Sequence, residues 1–330
     1  MKIIYKSPNE IFSSNKRFNR DNINYPYFFL KKFFKKKNIH LVKFGRRNDL
    51  SIHFFHVCKL DSRVNYLILP ELEIIYPLNN YIEFIKYDKV FTILDDYKNK
   101  KKFIKIHWPV FFPKINKSLY FSDINRKFLC NISSNKYSKI YSDSCLYDFR
   151  YKDIKWFEDN DVCFDLYGYD WHLIKRNNNL INKIIFHCQK YLSKYINFSV
   201  NKSFKGVVKK KNLVLKKYKF CLCYENYKSR KGYITEKIFD CFFSGTIPVY
   251  FGAQNINKYV PDSCFIDRRR FKSTKELNFF LKNLETKEIL IYKKNIYKFL
   301  KSKKSKIFSY KNFVKTIYKN IKIPNKIDFK

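Results

Sequence analysis

The sequence predicts an α/β protein of two domains, each built on a parallel sheet. Three observations carry this expectation. At 330 residues the chain is long enough for two domains of ordinary size. Short apolar runs of strand length alternate with helix-compatible segments, in two series separated by a basic, Asn-rich stretch near 114–127. The best-marked stretch, KFCLCYENYKSRKGYITEKIFDCFFSGTIPVYFG, reads strand, loop, helix, strand, the order a parallel sheet requires.

The first series has strand-like runs at 39–44 (IHLVKF), 65–69 (NYLIL) and 89–93 (KVFTI). The second has 127–132 (KFLCNI), 162–167 (VCFDLY), 213–215 (LVL), 219–224 (KFCLCY) and 247–251 (IPVYF). The break is expected near residue 126, giving a first domain at 1–126, a second at 127–300 and a basic C-terminal segment at 301–330. After KFCLCY, the positions Ile238, Cys241 and Phe242 fall on one helical face, and Ser244-Gly245 supplies a helix stop. Ser273 and Glu276 have capping-box spacing ahead of a helix with Leu277, Phe280, Leu281 and Leu284 on its apolar face.

Composition bounds the function. A hydrophobic fraction of 45%, with 20% aromatic residues, excludes intrinsic disorder. The formal net charge of +41 invites a nucleic-acid reading, yet only 12 of the 69 basic residues are Arg and Lys is spread along the whole chain. That pattern fits a compositional bias on solvated faces, so no nucleic-acid partner is expected; attraction to anionic substrates or lipid surfaces is a secondary consequence. Nine cysteines without paired CxxC spacing suit reduced thiols. MKIIYKSPNEIFSS lacks the apolar core of a signal peptide, and no apolar run approaches the roughly 18 residues of a membrane span. A cytoplasmic protein, soluble or peripheral on the inner face of a membrane, is expected.

Glu236 and Lys237 fall in the first turn of the helix that follows KFCLCY. Unpaired backbone N–H groups and the helix dipole favour an anion there, and Lys237 adds a full charge. A carboxylate at Glu236 suits a pair of ribose hydroxyls, while Gly232 allows close approach of the loop and Gly252 turns the chain after the next strand. This reads as a nucleoside diphosphate site; the alternative is a dipole-favoured Glu beside a solvated Lys, and spacing does not separate the two. Asp159-Asn160-Asp161 imitates a D-x-D metal clamp but lies in a turn-like stretch. His53, His56, Cys221 and Cys223 lack a second pair of ligands and read as core or surface residues. Arg268–Arg270 read as a solvated basic turn.

The run KFCLCYEN…GYITEKIFDCFFSGTIPVYFG resembles the signature of the α1,3-fucosyltransferases, glycosyltransferase family 10. SDSCLYDFRYKDIKWFE (142–158), FDLYGYDW (164–171) and FLKSKKSKIFSYKNFV (299–314) are similar to further motifs of that family, as are ELEIIYPLNN and KYDKVFTILDD in the first domain. The pattern departs from the family at Asp170, often a glycine, and in a lengthened, charged loop at 227–232.

The resemblance implies a GT-B enzyme, two Rossmann-like domains facing each other across a cleft, with GDP-fucose on the second and the acceptor sugar on the first. Arg150, Asn226, Tyr233, Glu236 and Lys237 match the donor-binding positions, with Glu236 on the ribose and Arg150 and Lys237 on the diphosphate. It further implies an inverting transfer to an oligosaccharide or lipid-linked surface glycan. No cofactor or metal is required, a divalent ion being at most a stimulant, and the C-terminal segment packs back on the enzyme's body. The base is expected at Glu71, at the head of E-x-x-x-I-x-P, with Glu73 as the fallback. In an extended segment both side chains would point to one face, so motif register rather than geometry selects Glu71. A transferase using another GDP-sugar, a catalytically silent nucleotide binder and a non-enzymatic polyanion-binding protein are the alternatives.

Overall fold

The computed structural model describes residues 2–321 apart from 8–24, 44–49, 61, 70, 74, 122–124 and 139–141. It divides into two compact units, Met1–Phe112 with Lys306–Lys330, and Pro113–Ser305.

The first unit contains strands β1 (Lys2–Lys6), β2 (His40–Val42), β3 (Leu50–Phe54), β4 (Val64–Ile68), β5 (Lys89–Thr92) and β6 (Phe103–Lys105). They form one sheet in the order β2-β1-β3-β4-β5-β6, every pair parallel. All five residues of β3 are buried, which is how a strand covered on both faces reads. Helices α1 (Tyr25–Lys35) and the short α2 (Tyr81–Phe84), the latter capped by the Asn80 side chain, lie between its strands. His53 is a core residue, Nδ1 lying 2.8 Å from the Tyr87 hydroxyl and Nε2 3.0 Å from that of Ser51.

The second unit begins with α3 (Ser118–Phe121), then β7 (Lys127–Ile132), α4 (Tyr147–Asp159), β8 (Phe164–Tyr167), α5 (Leu180–Leu192) and α6 (Lys211–Leu215). It continues with β9 (Tyr218–Tyr224), α7 (Glu236–Phe243), β10 (Ile247–Phe251), β11 (Ile266–Asp267), α8 (Thr274–Asn283) and α9 (Thr286–Lys301). Its sheet order is β11-β10-β9-β7-β8, again all parallel. Both sheets therefore follow a doubly wound pattern in which the chain, leaving the first strand, lays its successors on either side.

Two expectations change. Residues 213–215 end the one-turn helix α6 instead of forming a strand. An apolar triplet has no period, and here Leu215 turns inward while its carbonyl accepts the Thr246 hydroxyl, 2.6 Å. The units part at Phe112/Pro113, not at 126, because α3 and Arg126 belong to the second unit: Arg126 Nη1 donates to the Gly245 carbonyl at 2.6 Å. That contact closes the end of α7, where Gly245 takes φ +64° and a side chain would stand 2.7 Å from the Leu119 carbonyl. The last helix, α10 (Tyr310–Asn320), packs on α1 of the first unit, with Phe313, Val314 and Ile317 buried and Tyr318 edge-on to Phe33 at 5.4 Å. Among the described residues no helix is long and apolar enough to cross a membrane.

Candidate active site

In the second unit the neighbours of β7 are β8 on one side and β9 on the other, so strand order reverses between β7 and β9. Parallel α/β sheets open a crevice at the C-terminal ends of the strands flanking such a point. A pocket lies there, lined at the strand ends by Ser133 and Tyr224, with Arg150 from α4, Lys211 from α6 and Lys237 from α7 also on its wall.

Glu225 governs its geometry. One residue past β9, it is fully buried, and its carboxylate accepts the Thr235 N–H and hydroxyl, each at 2.8 Å, and the Lys237 ammonium at 3.0 Å. Thr235 is the N-cap of α7. A single side chain thus binds the end of a strand to the start of the next helix, and a buried charge is tolerable because it is both paired and hydrogen-bonded. Gly252 makes the closure possible, since a Cβ there would come within 2.5 Å of Glu225 Cγ and the Tyr250 hydroxyl.

Around this clamp the charges reinforce one another. Burial alone would lower the Lys237 pKa, but Glu225 and Glu236 outweigh it and raise it. Burial would likewise raise that of Glu236, yet Lys237 and Lys211 hold its carboxyl below the ordinary range. Lys211 lies 3.8 Å from Glu236 and 3.0 Å from Asp240, and Asp240 first, then Glu236, raise its pKa. Arg150 is buried, its guanidinium 5.4 Å from the Tyr147 ring centre, and its Nε has no hydrogen-bond partner. Burial lowers its pKa, though a guanidinium starts high enough to stay charged at neutral pH. The Lys211 and Lys237 ammonium groups are already paired with Asp240 and Glu225, so the buried Arg150 Nε–H is the donor on this wall that an anionic ligand could take up.

Of the residues expected from the sequence, Arg150 and Lys237 meet at this pocket, and Glu236 adjoins it in the first turn of α7. Tyr233 is buried in the loop leading to Thr235. Asn226 follows Glu225, and its carbonyl accepts the Leu146 N–H at 3.0 Å, fixing the approach to α4. Glu225 and Lys211 carry no assigned role in the sequence. A carboxylate directly after six strand residues, KFCLCY, was the available signal for Glu225; Lys211 ends an undifferentiated run, Lys209–Lys211. Arg268 is not part of a solvated turn: it is buried and ion-paired to Asp153 at 2.9 Å, with Thr274 completing the contact at 2.6 Å. Asp159-Asn160-Asp161 forms the turn ending α4, and among the described residues no group of three or more His, Cys, Asp or Glu is arranged to hold a metal.

In the first unit, Glu71 follows β4. Its N–H donates to the Phe55 carbonyl at 2.9 Å, and the buried Asn79 side chain donates to that same carbonyl at 2.6 Å and to the Glu71 carbonyl at 2.9 Å. Asn79 Oδ1 in turn accepts the Val57 N–H, 3.0 Å. Phe55 and Leu69, at the ends of β3 and β4, have φ of +68° and +53°, a costly conformation for bulky residues that concentrates at functional sites. The segment around Glu71 and Glu73 is not extended: the Ile75 and Tyr76 N–H groups both turn back to the Leu72 carbonyl. The two carboxylates therefore do not share a strand face, and Asn79 orders the backbone of Glu71. Burial first, then the Glu71 charge, raises the pKa of the Tyr27 phenol, which puts that carboxylate beside the unit's core.

Comparison with known proteins adds a family likeness. Residues 165–315 match the model described as glycosyltransferase family 10 (fucosyltransferase), C-terminal. Over 79 residues, 24% of this chain, it is 43% identical to an α-(1,3)-fucosyltransferase of Helicobacter pylori, and over 67 residues, 20% of this chain, 43% identical to an α-(1,4)-fucosyltransferase of Arabidopsis thaliana. Each match spans 16% of the relative's own length. Among solved structures, an α1,3-fucosyltransferase with GDP-fucose aligns over 98% of this chain and 91% of its own at a TM-score of 0.56 and 16% identity. An α-glucosyltransferase in complex with UDP and DNA aligns over 96% of this chain and 100% of its own at 0.53 and 11% identity. The likeness shows the fold, which is GT-B, and the residues matched by the family 10 model include Glu225, Glu236 and Lys237.

Proposed function

We propose that the protein is an inverting fucosyltransferase that moves L-fucose from GDP-fucose to a hydroxyl of a glycan, O3 of GlcNAc or Glc in an oligosaccharide or lipid-linked surface glycan. The observation that carries the reading is the convergence of Arg150, Lys211 and Lys237 on one pocket at the β7/β9 switch point, beside the carboxylate of Glu236. Within a family 10 domain, that set suits a diphosphate and a ribose. Localisation is proposed as cytoplasmic, with peripheral contact to the inner face of a membrane.

In the reaction, the acceptor oxygen attacks the anomeric carbon of fucose as the bond from that carbon to the β-phosphate oxygen breaks. The electron pair leaves with GDP, whose added negative charge falls to Arg150, Lys237 and Lys211. Glu71 takes the acceptor proton; the leaving phosphate needs none, so one carboxylate suffices. In this reading no divalent ion is required, one being at most a stimulant.

The test is calorimetric titration with GDP, GDP-fucose, GDP-mannose and UDP-galactose, followed by transfer assays on N-acetyllactosamine-type acceptors. Preference for GDP and GDP-fucose, loss of both in Arg150→Met and Glu236→Ala, and transfer abolished in Glu71→Gln with donor affinity unchanged would support it. Equal affinity for UDP-galactose or GDP-mannose would move the reading to another sugar nucleotide. Undiminished transfer in Glu71→Gln would shift the base to Glu73.

A further inference from the structure

Helix α5 is amphipathic with its polarity reversed relative to the body it sits on. Its inner side is pinned by one apolar residue, the buried Phe186, and by polar contacts: Gln189 Oε1 accepts the Ile174 N–H at 2.9 Å, and Asn182 Nδ2 donates to the Lys175 carbonyl at 3.0 Å. The outer side carries Ile181, Ile184, Ile185, Tyr191 and Leu192, with Tyr195 just beyond, each between 43 and 72% exposed. At 3.6 residues per turn these positions fall on one continuous stripe, and Lys183 and Lys194 run along one edge of it. A soluble surface seldom presents so many large aliphatic and aromatic side chains together without a partner.

Charge identifies the partner. Between Asp170 and Glu225 the chain has no acidic residue, while residues 171–224 hold 12 Lys and one Arg. The nearest carboxylate to α5 in sequence, Asp170, is itself paired with Lys190 at 3.3 Å. A second copy laid face to face would set two such basic segments against each other. An apolar stripe edged by lysines, with tyrosines at its end and no carboxylate, matches the boundary between acyl chains and anionic headgroups. We propose that the outer face of α5 docks the protein on an anionic lipid bilayer. The C-terminal basic helix α10 is not the docking element in this account, because its apolar face is already packed on α1. The inference is independent of the donor and of the reaction.

The test is flotation of the full chain with vesicles of phosphatidylcholine plus phosphatidylglycerol, and with phosphatidylcholine alone, at low and high salt. The chain is expected to float with the anionic vesicles, less so in high salt, and not with the neutral ones. The Ile184→Asn/Leu192→Asn variant is expected to lose about tenfold or more in partitioning. Lys183→Glu/Lys194→Glu should lose binding in low salt. Thermal midpoints near that of the unaltered chain would show that neither variant acts by unfolding, as expected where Ile184, Leu192 and Lys194 are exposed and Lys183 is half-buried. Equal flotation of Ile184→Asn/Leu192→Asn and the unaltered chain, or equal binding to neutral vesicles, overturns the proposal. So does self-association in sedimentation velocity that Ile184→Asn abolishes, which would assign the face to a second copy.

Discussion

Glu225 is held by two hydrogen bonds from Thr235 and the ammonium of Lys237, and its stability depends on all three remaining. Lys237→Ala leaves that buried charge with no counter-ion and is expected to cost about 3 kcal/mol in denaturant titration, with the m-value unchanged. Glu225→Gln/Lys237→Met, which removes both charges, should recover most of the loss. A GDP titration of Lys237→Ala alone would therefore mix binding with folding, whereas Arg150→Met and Glu236→Ala report on binding more directly. The pH dependence follows from the directions of shift. The Glu236 carboxyl is depressed in the folded state, so its contribution is present above the ordinary carboxylate pKa and lost as pH falls through the folded value. The Lys237 ammonium is raised, so its contribution is complete below the ordinary Lys pKa and lost as pH rises through the folded one. Thermal midpoints of the unaltered chain and Glu236→Gln should differ at neutral pH and converge in acid. At this scale the sequence marks Glu236 and Lys237, because the dipole and unpaired N–H groups of a helix's first turn favour negative charge. It leaves Glu225 and Lys211 unmarked, because their importance comes from what the fold brings to them.

At the scale of elements, the β9-α7-β10 unit is legible from its apolar run, its Thr235 start and its Gly245 stop. The glycine at 252 has a second role that only packing reveals. Gly252→Ala forces a methyl group against Glu225 and Tyr250 and is expected to destabilise by about 1–3 kcal/mol, with weakened GDP binding, because the clamp must open to admit it. In the first unit, Asn79 ties the loops after β3 and β4 together through the Phe55 and Glu71 carbonyls. Asn79→Ala is expected to lower kcat and shift its pH profile while leaving GDP affinity unchanged, the reverse of the pattern for Arg150→Met. The turns at 71–80 were not readable as such: two carboxylates among apolar residues, E-L-E-I-I, imitate an alternating strand, and a buried asparagine eight residues on decides otherwise. The triplet 213–215 fails for a related reason, since three apolar residues fit a strand and the inner side of one helical turn equally well.

Across the whole molecule, two domains built on parallel sheets are legible from alternation, but the winding of the sheets and the path of the chain between units are not. The first unit takes its last helix from residues 306–330, and Phe313, Val314 and Ile317 complete its packing on α1. A chain lacking 306–330 should expose that α1 face, bind a hydrophobic dye in the absence of denaturant and unfold at a lower midpoint, since burying each such side chain is worth about 1.5–3 kcal/mol. No local pattern distinguishes a helix that returns to its own domain from one that extends the neighbouring domain. This return path sets an order of events at the ribosome. The second unit is one continuous segment, Pro113–Ser305, and can close as soon as it emerges. The first, although synthesised earlier, must wait with its α1 surface uncovered until translation has passed the whole of the second, so the older half of the chain is the later to be finished.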